Sequence, residues 1–426
     1  MVPAVIGAFF LLALLGMPLA LSLGLASVGG LWVGDLSLSV LPQRMMHAVN
    51  SFPLMAIPFF MLAGELMIRG GIMERLIEFA NSIVGRVRGG LAHVTVLSSM
   101  GLSSVSGAAV ADASALSATL VPAMRRSYDV GYGSAVVAAS SNLGPIIPPS
   151  AAMIVYALMA GSSVSVGALF MAGVVPGLIM TVAMMITCTV LAKLRGYSLT
   201  GEAFSLREVA RQTKRSFIVF MMPVIVIGGI VGGVFTATEG AAIAVVYAAL
   251  IGFFVTRRLS LADLPPALFR AAITASIVGA LIAFASALTF LFTVELVPMR
   301  LASAIQAFTA DPTVFLLLVM AMLLVVGMFL ESNAAYIMLV PLFAPIALEY
   351  GLDPIYFGFL FVLNLVVAML TPPVGVLLFV VGGVSRLSIG EMVRNVWPFI
   401  LVQYAVLALC FFFPPIVTTL PRLLGY

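Results

Sequence analysis

Two proline-interrupted stretches are the first places where this sequence could do chemistry. In SNLGPIIPPSAAMIVYAL, residues 141–158, three prolines fall within five positions, and a second Pro-Pro pair occupies 372–373 in MLTPPVGVLLFV. Proline removes a backbone N–H donor and disfavours helix at the preceding residue, so both helices are predicted to break. The freed carbonyl groups at 143–147 and 368–371 can bind a cation, and the helices that restart beyond them offer unpaired N–H groups to an anion.

A serine-rich segment, SSMGLSSVSG at 98–107, is the second such place. It lies at the centre of the apolar stretch 89–124, which is too short for two membrane crossings at roughly 20 residues each. The sequence therefore predicts a hairpin that enters and leaves on one side, with its tip near 103–107 facing the first proline break. Its counterpart is 313–348, with a tip near 327–333. A close-packed interface of small residues is the alternative explanation for the serines.

Ionisable residues within apolar stretches form a third group, because charge inside a membrane is costly and often functional. Asp112 and Glu331 lie in the two predicted hairpins, Glu65 in an early helix and Glu239 in the TATEG segment. For Asp112, a helix cap and a functional role both stay open, whereas Glu239 is predicted to cap a helix. His93 is predicted to make a structural hydrogen bond rather than relay protons. Neither hairpin tip and neither proline break contains Lys or Arg, so hydroxyl groups, N–H groups and bound cations would have to hold an anion.

The elements that position these groups must lie in a membrane. Of 426 residues, 63% are hydrophobic and 8% are charged, against about 25% charged in soluble domains. Apolar stretches long enough to span a bilayer recur along the whole chain, which predicts an all-α polytopic membrane protein. The net charge of +4 is spread over loops, so nucleic acid is not an expected partner. No Walker A, H-E-x-x-H or G-x-S-x-G motif is present, and we expect neither an ATP-driven pump nor an enzyme.

An internal repeat organises the chain. Pro372 follows Pro148 by 224 positions, LSIG at 387–390 follows VSVG at 164–167 by 223, and Pro398 follows Pro176 by 222. Two copies of one design are therefore predicted, at about 53–194 and 271–418.

The positive charges predict that the two copies have opposite orientations. Loop 122–131 contains two arginines and its counterpart 344–354 contains no basic residue, while the reverse holds for 162–172 and 384–395. Because short cytoplasmic loops carry the excess of Lys and Arg, equivalent loops are expected on opposite sides of the membrane. Chance placement of a few charges is the alternative. Inverted repeats with interrupted helices indicate a secondary transporter whose site lies near the bilayer midplane.

Six regions follow from this organisation. A membrane helix, or more consistently a helix pair hinged at 16–18, occupies 1–50. The others are a scaffold helix and an interfacial arm helix in 51–88; a first transport unit in 89–192, with hairpin 89–124 and broken helix 132–160; a cytoplasmic linker and scaffold helix pair in 193–270; a scaffold helix and arm in 271–312; and a second transport unit in 313–426, with hairpin 313–348, broken helix 354–385 and a C-terminal helix.

Four motifs, GPIIPPS, LFMAGVVPG, FTATEGAAIAVVYA and TPPVGVLLFV, occur in that order. They resemble the large membrane subunit, DctM type, of the tripartite ATP-independent periplasmic (TRAP) transporters, and the resemblance covers nearly the whole chain. Ala368 departs from the pattern, since the family more often has Gly before the TPP break. The resemblance implies an elevator-type, Na⁺-coupled importer of small organic acids (carboxylates) in the bacterial inner (cytoplasmic) membrane.

The resemblance also implies partners. They are a separate small membrane subunit of the DctQ type, a periplasmic substrate-binding protein of the DctP type, the organic acid and membrane lipid, with Na⁺ as coupling ion and no other cofactor. The alternative is a stand-alone Na⁺ or H⁺/dicarboxylate symporter of the same architecture.

The resemblance, together with the preference of hard cations for oxygen ligands, gives the candidate site residues. One sodium site is predicted from Ser103, Ser106, Gly107, Asn142 and Gly144, and a second, mostly through backbone carbonyl groups, from Gly327, Glu331, Thr371, Pro372 and Gly375. Predicted substrate contacts are Ser104, Pro148, Ser150 and Pro373.

Overall fold

The computed structural model describes residues 2–161, 164–197, 199 and 205–426. Within these residues the regular structure is helical, with twenty α-helices, and a single antiparallel bridge between Arg88 and Leu199 is the only extended pairing. Residues 198 and 200–204 of the predicted linker, and 162–163 of the predicted loop 162–172, lie outside the described part. The all-α fold class is confirmed.

The helices up to the end of the first copy are bounded as follows: α1 Val2–Leu14, α2 Leu19–Val33, α3 Val40–Val49, α4 Ala56–Arg69, α5 Ile72–Val84, α6 Gly90–Ser106, α7 Ala109–Met124, α8 Val130–Ser141, α9 Ala151–Ala160 and α10 Val166–Leu194. Those that follow are α11 Leu206–Val231, α12 Ala237–Leu250, α13 Leu264–Val294, α14 Val297–Phe308, α15 Pro312–Phe329, α16 Ser332–Glu349, α17 Pro354–Ala368, α18 Val376–Ser385, α19 Ile389–Phe412 and α20 Pro415–Leu423.

Both predicted hairpins and both predicted breaks are present. Helices α6 and α7 form the first hairpin and α15 and α16 the second, while 142–150 separates α8 from α9 and 369–375 separates α17 from α18. The two broken helices begin alike, because the carboxylates of Asp129 and Asp353, 224 positions apart, accept backbone N–H groups at the starts of α8 and α17. The repeat in the sequence is therefore a repeat in structure.

Helix α19 reveals the relative orientation of the two copies. The start of α8 lies beside the second turn of α19, where a methyl group at Gly131 would come within 2.3 Å of Nδ2 of Asn395. The start of α17 lies at the opposite end of α19, where the Tyr356 hydroxyl donates to the Phe411 carbonyl at 2.7 Å. Helices α8 and α17 thus run in opposite directions along α19, and the inverted-repeat architecture is confirmed.

The remaining helices form a scaffold beside the two units. Helix α13 packs against α2, α3 and α4, and α12 also packs against α4. Helix α5, within the predicted arm, connects this scaffold to the first hairpin and packs along α6 through the buried side chains of Ile72 and Leu76. Helix α14 makes the corresponding connection from α13 to the second hairpin.

Three boundaries refine the sequence-based expectations. Residues 2–33 form the predicted helix pair, α1 and α2, divided at Gly16, which has φ +85°, and Pro18, and a further helix, α3, occupies the end of the 1–50 region. Helix α11 begins at Leu206, and its first three turns therefore contain basic residues expected in the linker. The expected single C-terminal helix is two, because consecutive prolines, Pro414 and Pro415, end α19 and begin α20.

The surface agrees with a lipid environment. Eight described helical segments are long and apolar enough to cross a membrane. On α10, every fourth residue from 178 to 194 is a large apolar side chain with about half or more of its surface exposed, which suits contact with lipid rather than water. Helices α15 and α16 are among these eight segments because of their length. The connection between them nevertheless meets the break between α17 and α18, as expected for a re-entrant hairpin.

Candidate functional site

The first junction is the place where the α6–α7 tip meets the break at 142–150. Gly107, between the two helices, has φ +60°, a left-handed conformation that favours glycine. A methyl group there would lie 2.6 Å from the Pro149 carbonyl oxygen and 3.2 Å from Cα of Ser150. The hairpin backbone therefore touches the point where α9 restarts.

A buried carboxylate lies at the centre of the first junction. Asp112, in the first turn of α7, is fully buried, and its Oδ2 accepts a hydrogen bond from the Ser103 hydroxyl at 3.1 Å. The hydroxyl of Ser106 donates to Oδ1. From the other side, a methyl group at Gly144 would lie 2.9 Å from Oδ2 of Asp112. The absence of a side chain at 144 thus lets the break close over the carboxylate.

No positive side chain compensates this carboxylate in the described part of the chain, where the ion pairs all involve other acids. Both protein partners of Asp112 are neutral hydroxyls, and burial of an unpaired carboxylate costs several kcal/mol. Asp112 does not cap α7 either, because Ala108 is the N-cap and the carboxylate accepts from hydroxyls rather than from backbone N–H groups. The capping interpretation is therefore wrong, and the arrangement fits a small cation held by oxygen atoms.

Asn142 adds a further free oxygen at the first junction. Its Nδ2 donates to Oε1 of Gln403 at 2.7 Å, whereas its buried Oδ1 has no hydrogen-bond partner among the described residues. A buried acceptor without a donor is unusual in a folded protein and indicates a missing partner.

The predicted substrate residues of the first junction differ in their hydrogen-bond partners and burial. Ser150 caps α9 by accepting from the Met153 N–H at 3.3 Å, and its hydroxyl donates to the Pro145 carbonyl at 2.7 Å. Pro148 is buried beside it. The hydroxyl of Ser104 donates to the Gly101 carbonyl of its own helix at 2.7 Å, and this side chain is partly exposed.

The second junction is the equivalent meeting of the α15–α16 tip with the break at 369–375. The N–H of Gly375 donates to the Met328 carbonyl at 3.3 Å, which ties the break to the hairpin. A methyl group at Gly327 would lie 2.6 Å from Cβ of Ala368. Helix α17 continues through Ala368, so the departure from the family pattern leaves the helix intact, and Gly327 provides the space that the extra methyl group needs.

The carboxylate of the second junction is used differently. Glu331 is the N-cap of α16, and its Oε2 accepts from the N–H groups of Asn333 and Ala334 at 3.0 and 3.3 Å. The Thr371 hydroxyl donates to the Val367 carbonyl at 2.9 Å and lies 2.9 Å from the Tyr404 hydroxyl. Of the two prolines of this break, Pro372 is partly buried and Pro373 is exposed.

The structure thus brings Ser103, Ser106, Gly107 and Gly144 together around Asp112 and leaves Ser104 outside. Sequence reasoning left Asp112 unassigned and missed Gln403 and Tyr404, which contact one break each. A polar pair inside the apolar segment LVQYAVLALC was the available signal.

Two other predicted roles are confirmed. Glu239 and Thr236 form a capping box at the start of α12, with the Thr236 N–H 2.7 Å from Oε2 of Glu239. His93 makes a structural hydrogen bond, through Nε2, with the Thr189 hydroxyl at 3.1 Å. The acid of the early helix, Glu65, forms an ion pair in which its Oε2 lies 3.7 Å from Nε of Arg69.

Sequence comparison finds relatives over nearly the whole chain. The sialic acid TRAP transporter large permease protein SiaM of Vibrio cholerae is 36% identical over 414 residues, covering 96% of each chain. The 2,3-diketo-L-gulonate TRAP transporter large permease protein YiaN of Escherichia coli is 35% identical over 95% of each chain. The isethionate TRAP transporter permease protein DctMQ of Oleidesulfovibrio alaskensis is 37% identical over 97% of this chain, which spans 65% of that longer relative.

Solved structures share the fold. The YdaH transporter of Alcanivorax borkumensis superposes with a TM-score of 0.63 over 88% of each chain at 15% identity. MtrF of Neisseria gonorrhoeae superposes with a TM-score of 0.59 over 87% of this chain and 83% of its own, at 12% identity. At such identities the likeness establishes the architecture alone.

The family model described as "Tripartite ATP-independent periplasmic transporter, DctM component" matches residues 6–416. The relatives are transport permeases rather than enzymes, and the prediction that this chain is a transporter subunit rather than an enzyme is confirmed. This match agrees with the sequence motifs and with the inverted pair of hairpins and broken helices. The chain belongs to the DctM family of TRAP transporter large permeases.

Proposed function

We propose that this chain is the large membrane subunit of a Na⁺-coupled importer of small organic acids in the bacterial inner membrane. The observation that carries the proposal is the buried Asp112 carboxylate at a junction of hairpin and broken helix, which has two serine hydroxyls and, among the described residues, no positive side chain as partners. A bound Na⁺ offsets the cost of burying that charge, and the free Oδ1 of Asn142 is a neutral ligand in the same junction.

A second cation site at the second junction completes the proposal. There the ligands are the Thr371 hydroxyl and backbone carbonyl groups of the tip and break, including those of Gly327, Pro372 and Gly375. Interrupted helices that supply carbonyl groups to Na⁺ are a general feature of inverted-repeat transporters.

The substrate class follows from the relatives and from electrostatics. Relatives are named for sialic acid, 2,3-diketo-L-gulonate and isethionate, and each of these is a small organic acid. Neither tip and neither break contains Lys or Arg. An anion at the junctions must therefore be held by hydroxyl groups, by the N-termini of α9 and α18 and by the bound cations, so cation binding raises the affinity for the acid and the acid raises the affinity for the cations.

The transport step proposed is an elevator movement of the two units against the scaffold. Helices α5 and α14 connect each hairpin to the scaffold and are the natural arms for such a movement. The other components of the tripartite system would be a small DctQ-type membrane subunit, which enlarges the scaffold, and a periplasmic DctP-type binding protein, which delivers the acid.

Reconstitution tests the coupling. The chain, a small subunit and a binding protein are placed in proteoliposomes, and uptake of radiolabelled sialic acid, 2,3-diketo-L-gulonate, isethionate and C4-dicarboxylates is measured under an inward Na⁺ gradient. We expect uptake of one acid that requires both Na⁺ and the binding protein. Replacement of Na⁺ by choline is the control, and uptake that is unchanged by it contradicts the proposal.

One observation favours proton coupling as a second candidate. Protonation would also remove the negative charge of Asp112, while the carboxyl group keeps its hydrogen bonds with the hydroxyls of Ser103 and Ser106. The same liposomes distinguish the two ions, because a pH gradient without Na⁺ would then drive uptake. Uptake by this chain without the binding protein or the small subunit would instead favour the stand-alone symporter.

The elevator step has a separate test. Helices α13 and α16 pack against each other across the boundary between scaffold and second unit. Both native cysteines, Cys188 and Cys410, are free and buried, and a variant with both replaced by Ala accepts one engineered cysteine on each helix. We expect oxidation to stop uptake and leave Na⁺ binding intact, with recovery on reduction.

A further inference from the structure

Helix α19 contacts a polar side chain of each break with two consecutive residues. Gln403 accepts from Nδ2 of Asn142 in the first break at 2.7 Å, and the hydroxyl of Tyr404 lies 2.9 Å from the hydroxyl of Thr371 in the second. Gln403 is fully buried. One helix therefore carries both contacts, although Asn142 and Thr371 belong to different copies of the repeat.

The Gln403 amide determines which atom of Asn142 is free. Nε2 of Gln403 donates to the Ala139 carbonyl in the last turn of α8 at 2.9 Å, so Oε1 must face Asn142. Asn142 in turn must present its Nδ2 group, and its Oδ1 is left buried without a partner among the described residues. The hydrogen-bond network thus directs a carbonyl oxygen, rather than an N–H group, away from α19.

The Tyr404 hydroxyl has the equivalent effect on Thr371. With the single hydroxyl hydrogen of Thr371 directed to the Val367 carbonyl at 2.9 Å, the Tyr404 hydroxyl is assigned as the donor in the second contact. A hydroxyl oxygen has two acceptor positions, and one of those on Thr371 remains free. Each break therefore keeps one oxygen acceptor whose direction is set by α19.

The Gln403 contact of α19 has no equivalent on the corresponding helix of the first copy. Helix α10 is the counterpart of α19, and Thr181 lies 222 positions before Gln403. The hydroxyl of Thr181 donates to the Gly177 carbonyl of its own helix at 2.8 Å. The first copy thus lacks an equivalent of the Gln403 contact at this position, so a general property of the repeat does not explain the pair on α19.

We propose that Gln403 and Tyr404 are positioning residues that couple the two cation sites. They orient Asn142 Oδ1 and Thr371 Oγ1 toward bound Na⁺. A displacement of α19 caused by Na⁺ binding at one break is therefore transmitted to the other break. This inference rests on the proposed function. Coupling of this kind is reciprocal and changes affinity by about 5- to 150-fold.

A sodium titration of the purified full-length chain tests the coupling. The unfolding temperature is followed as NaCl replaces choline chloride at constant ionic strength. Because the stabilisation grows as the logarithm of the sodium-binding polynomial, a fit of that polynomial gives the half-saturating Na⁺ concentration and the Hill coefficient. The variants are Gln403→Leu and Tyr404→Phe, and the matched control is Tyr356→Phe. The control removes a hydroxyl that donates to the Phe411 carbonyl at the far end of α19, away from both breaks.

We expect a Hill coefficient above one for the unmodified chain. In both test variants it falls to about one and the half-saturating Na⁺ concentration rises about fivefold or more. Tyr356→Phe lowers the unfolding temperature and leaves both sodium parameters unchanged. Because Tyr404→Phe keeps the ring and removes one oxygen, it remains informative even where Gln403→Leu fails to fold.

The possible failures are distinguishable. A sodium response of normal midpoint and steepness in Tyr404→Phe and in any folded Gln403→Leu overturns the coupling while leaving the proposed function intact. A change in Tyr356→Phe equal to that in Tyr404→Phe overturns it too, because the effect would then reflect the general stability of α19. Absence of any sodium response in the unmodified chain overturns the proposed function itself.

Discussion

The two junctions share a backbone design and differ in how they use a carboxylate. At the first junction, Asp112 is fully buried and bonded to serine hydroxyls. At the second, Glu331 is largely buried and accepts hydrogen bonds from the backbone N–H groups of Asn333 and Ala334 at the start of α16. One carboxylate is therefore left for an external charge, and the other already stabilises a helix terminus.

The residue that corresponds to Asp112 in the second copy makes the difference plain. Tyr336 lies 224 positions after Asp112, and its buried hydroxyl donates to the Val362 carbonyl at 3.3 Å. The repeat has thus kept a polar group at this position but not a charge. The two copies thus share a geometry and differ in the partners of their carboxylates, which are hydroxyl groups at the first junction and include backbone N–H groups at the second.

The largest expected effect in this comparison comes from Asp112→Asn. Loss of the charge removes the main attraction for Na⁺, and we expect sodium affinity to fall about 100-fold, which corresponds to about 3 kcal/mol. In sodium-free buffer the same variant should unfold at a higher temperature, because it no longer buries an unpaired charge. Titration of the unfolding temperature with NaCl measures both.

A purely structural role for Asp112 predicts the opposite result in sodium-free buffer. The variant would then be less stable than the unmodified chain, and its response to NaCl would be normal. Asp112→Glu is the companion variant, since it keeps the charge but lengthens the side chain within a packed site.

The next expected effect compares two glycines. A methyl group at Gly144 would press on Asp112 at 2.9 Å and on the N atom of Ala109 at 3.1 Å, whereas one at Gly327 would press on the apolar side chains of Ala368 and Leu365. Each substitution to Ala should cost about 1–3 kcal/mol of stability by overpacking. Gly144→Ala should weaken sodium binding more than Gly327→Ala, because its methyl group presses directly on the Asp112 carboxylate, whereas the methyl group at 327 meets apolar side chains and the Gly327 carbonyl is retained. Equal losses of sodium affinity in the two variants would contradict the difference between the junctions.

The fold was predictable because its determinants can be read from the sequence without knowledge of side-chain contacts. Prolines at 145, 148 and 149 break a helix wherever it lies, and the 224-residue spacing relates the two copies without any knowledge of contacts. The role of Asp112 was not predictable for a physical reason. An acid in the first turn of a helix suits a cap and a cation equally well, and only the fold reveals whether its neighbours are N–H groups or hydroxyls.

The contacts of α19 were hidden for a different reason. Gln403 and Asn142 are 261 positions apart, and no periodic pattern in a single sequence relates residues at that separation. The same limit applies to Glu331, which the fold places as the N-cap of α16; its binding of sodium, implied by the resemblance, stays a prediction.

A moderate effect is expected from hydroxyl removal. Ser103→Ala takes away a hydrogen bond to a charged group, worth about 1.5–3 kcal/mol, and should lower sodium affinity roughly tenfold. Thr371→Ala removes a hydroxyl with neutral partners, worth about 1 kcal/mol, and should lower it about fivefold. Ser104→Ala is the control, because that hydroxyl serves its own helix. Full Na⁺-dependent uptake in both Ser103→Ala and Thr371→Ala would remove these hydroxyls from the sites.

The smallest expected effect is that of Glu331→Gln. The glutamine can still accept one backbone N–H group at the start of α16, so we expect a loss of about 1 kcal/mol of stability, as for other helix caps. Sodium affinity should change less than about threefold, in contrast to Asp112→Asn. If Glu331→Gln instead lowered sodium affinity as much as Asp112→Asn, both carboxylates would bind cations, and the second junction would have to release its helix cap when Na⁺ arrives. The two variants measured side by side therefore decide whether the copies of the repeat have specialised.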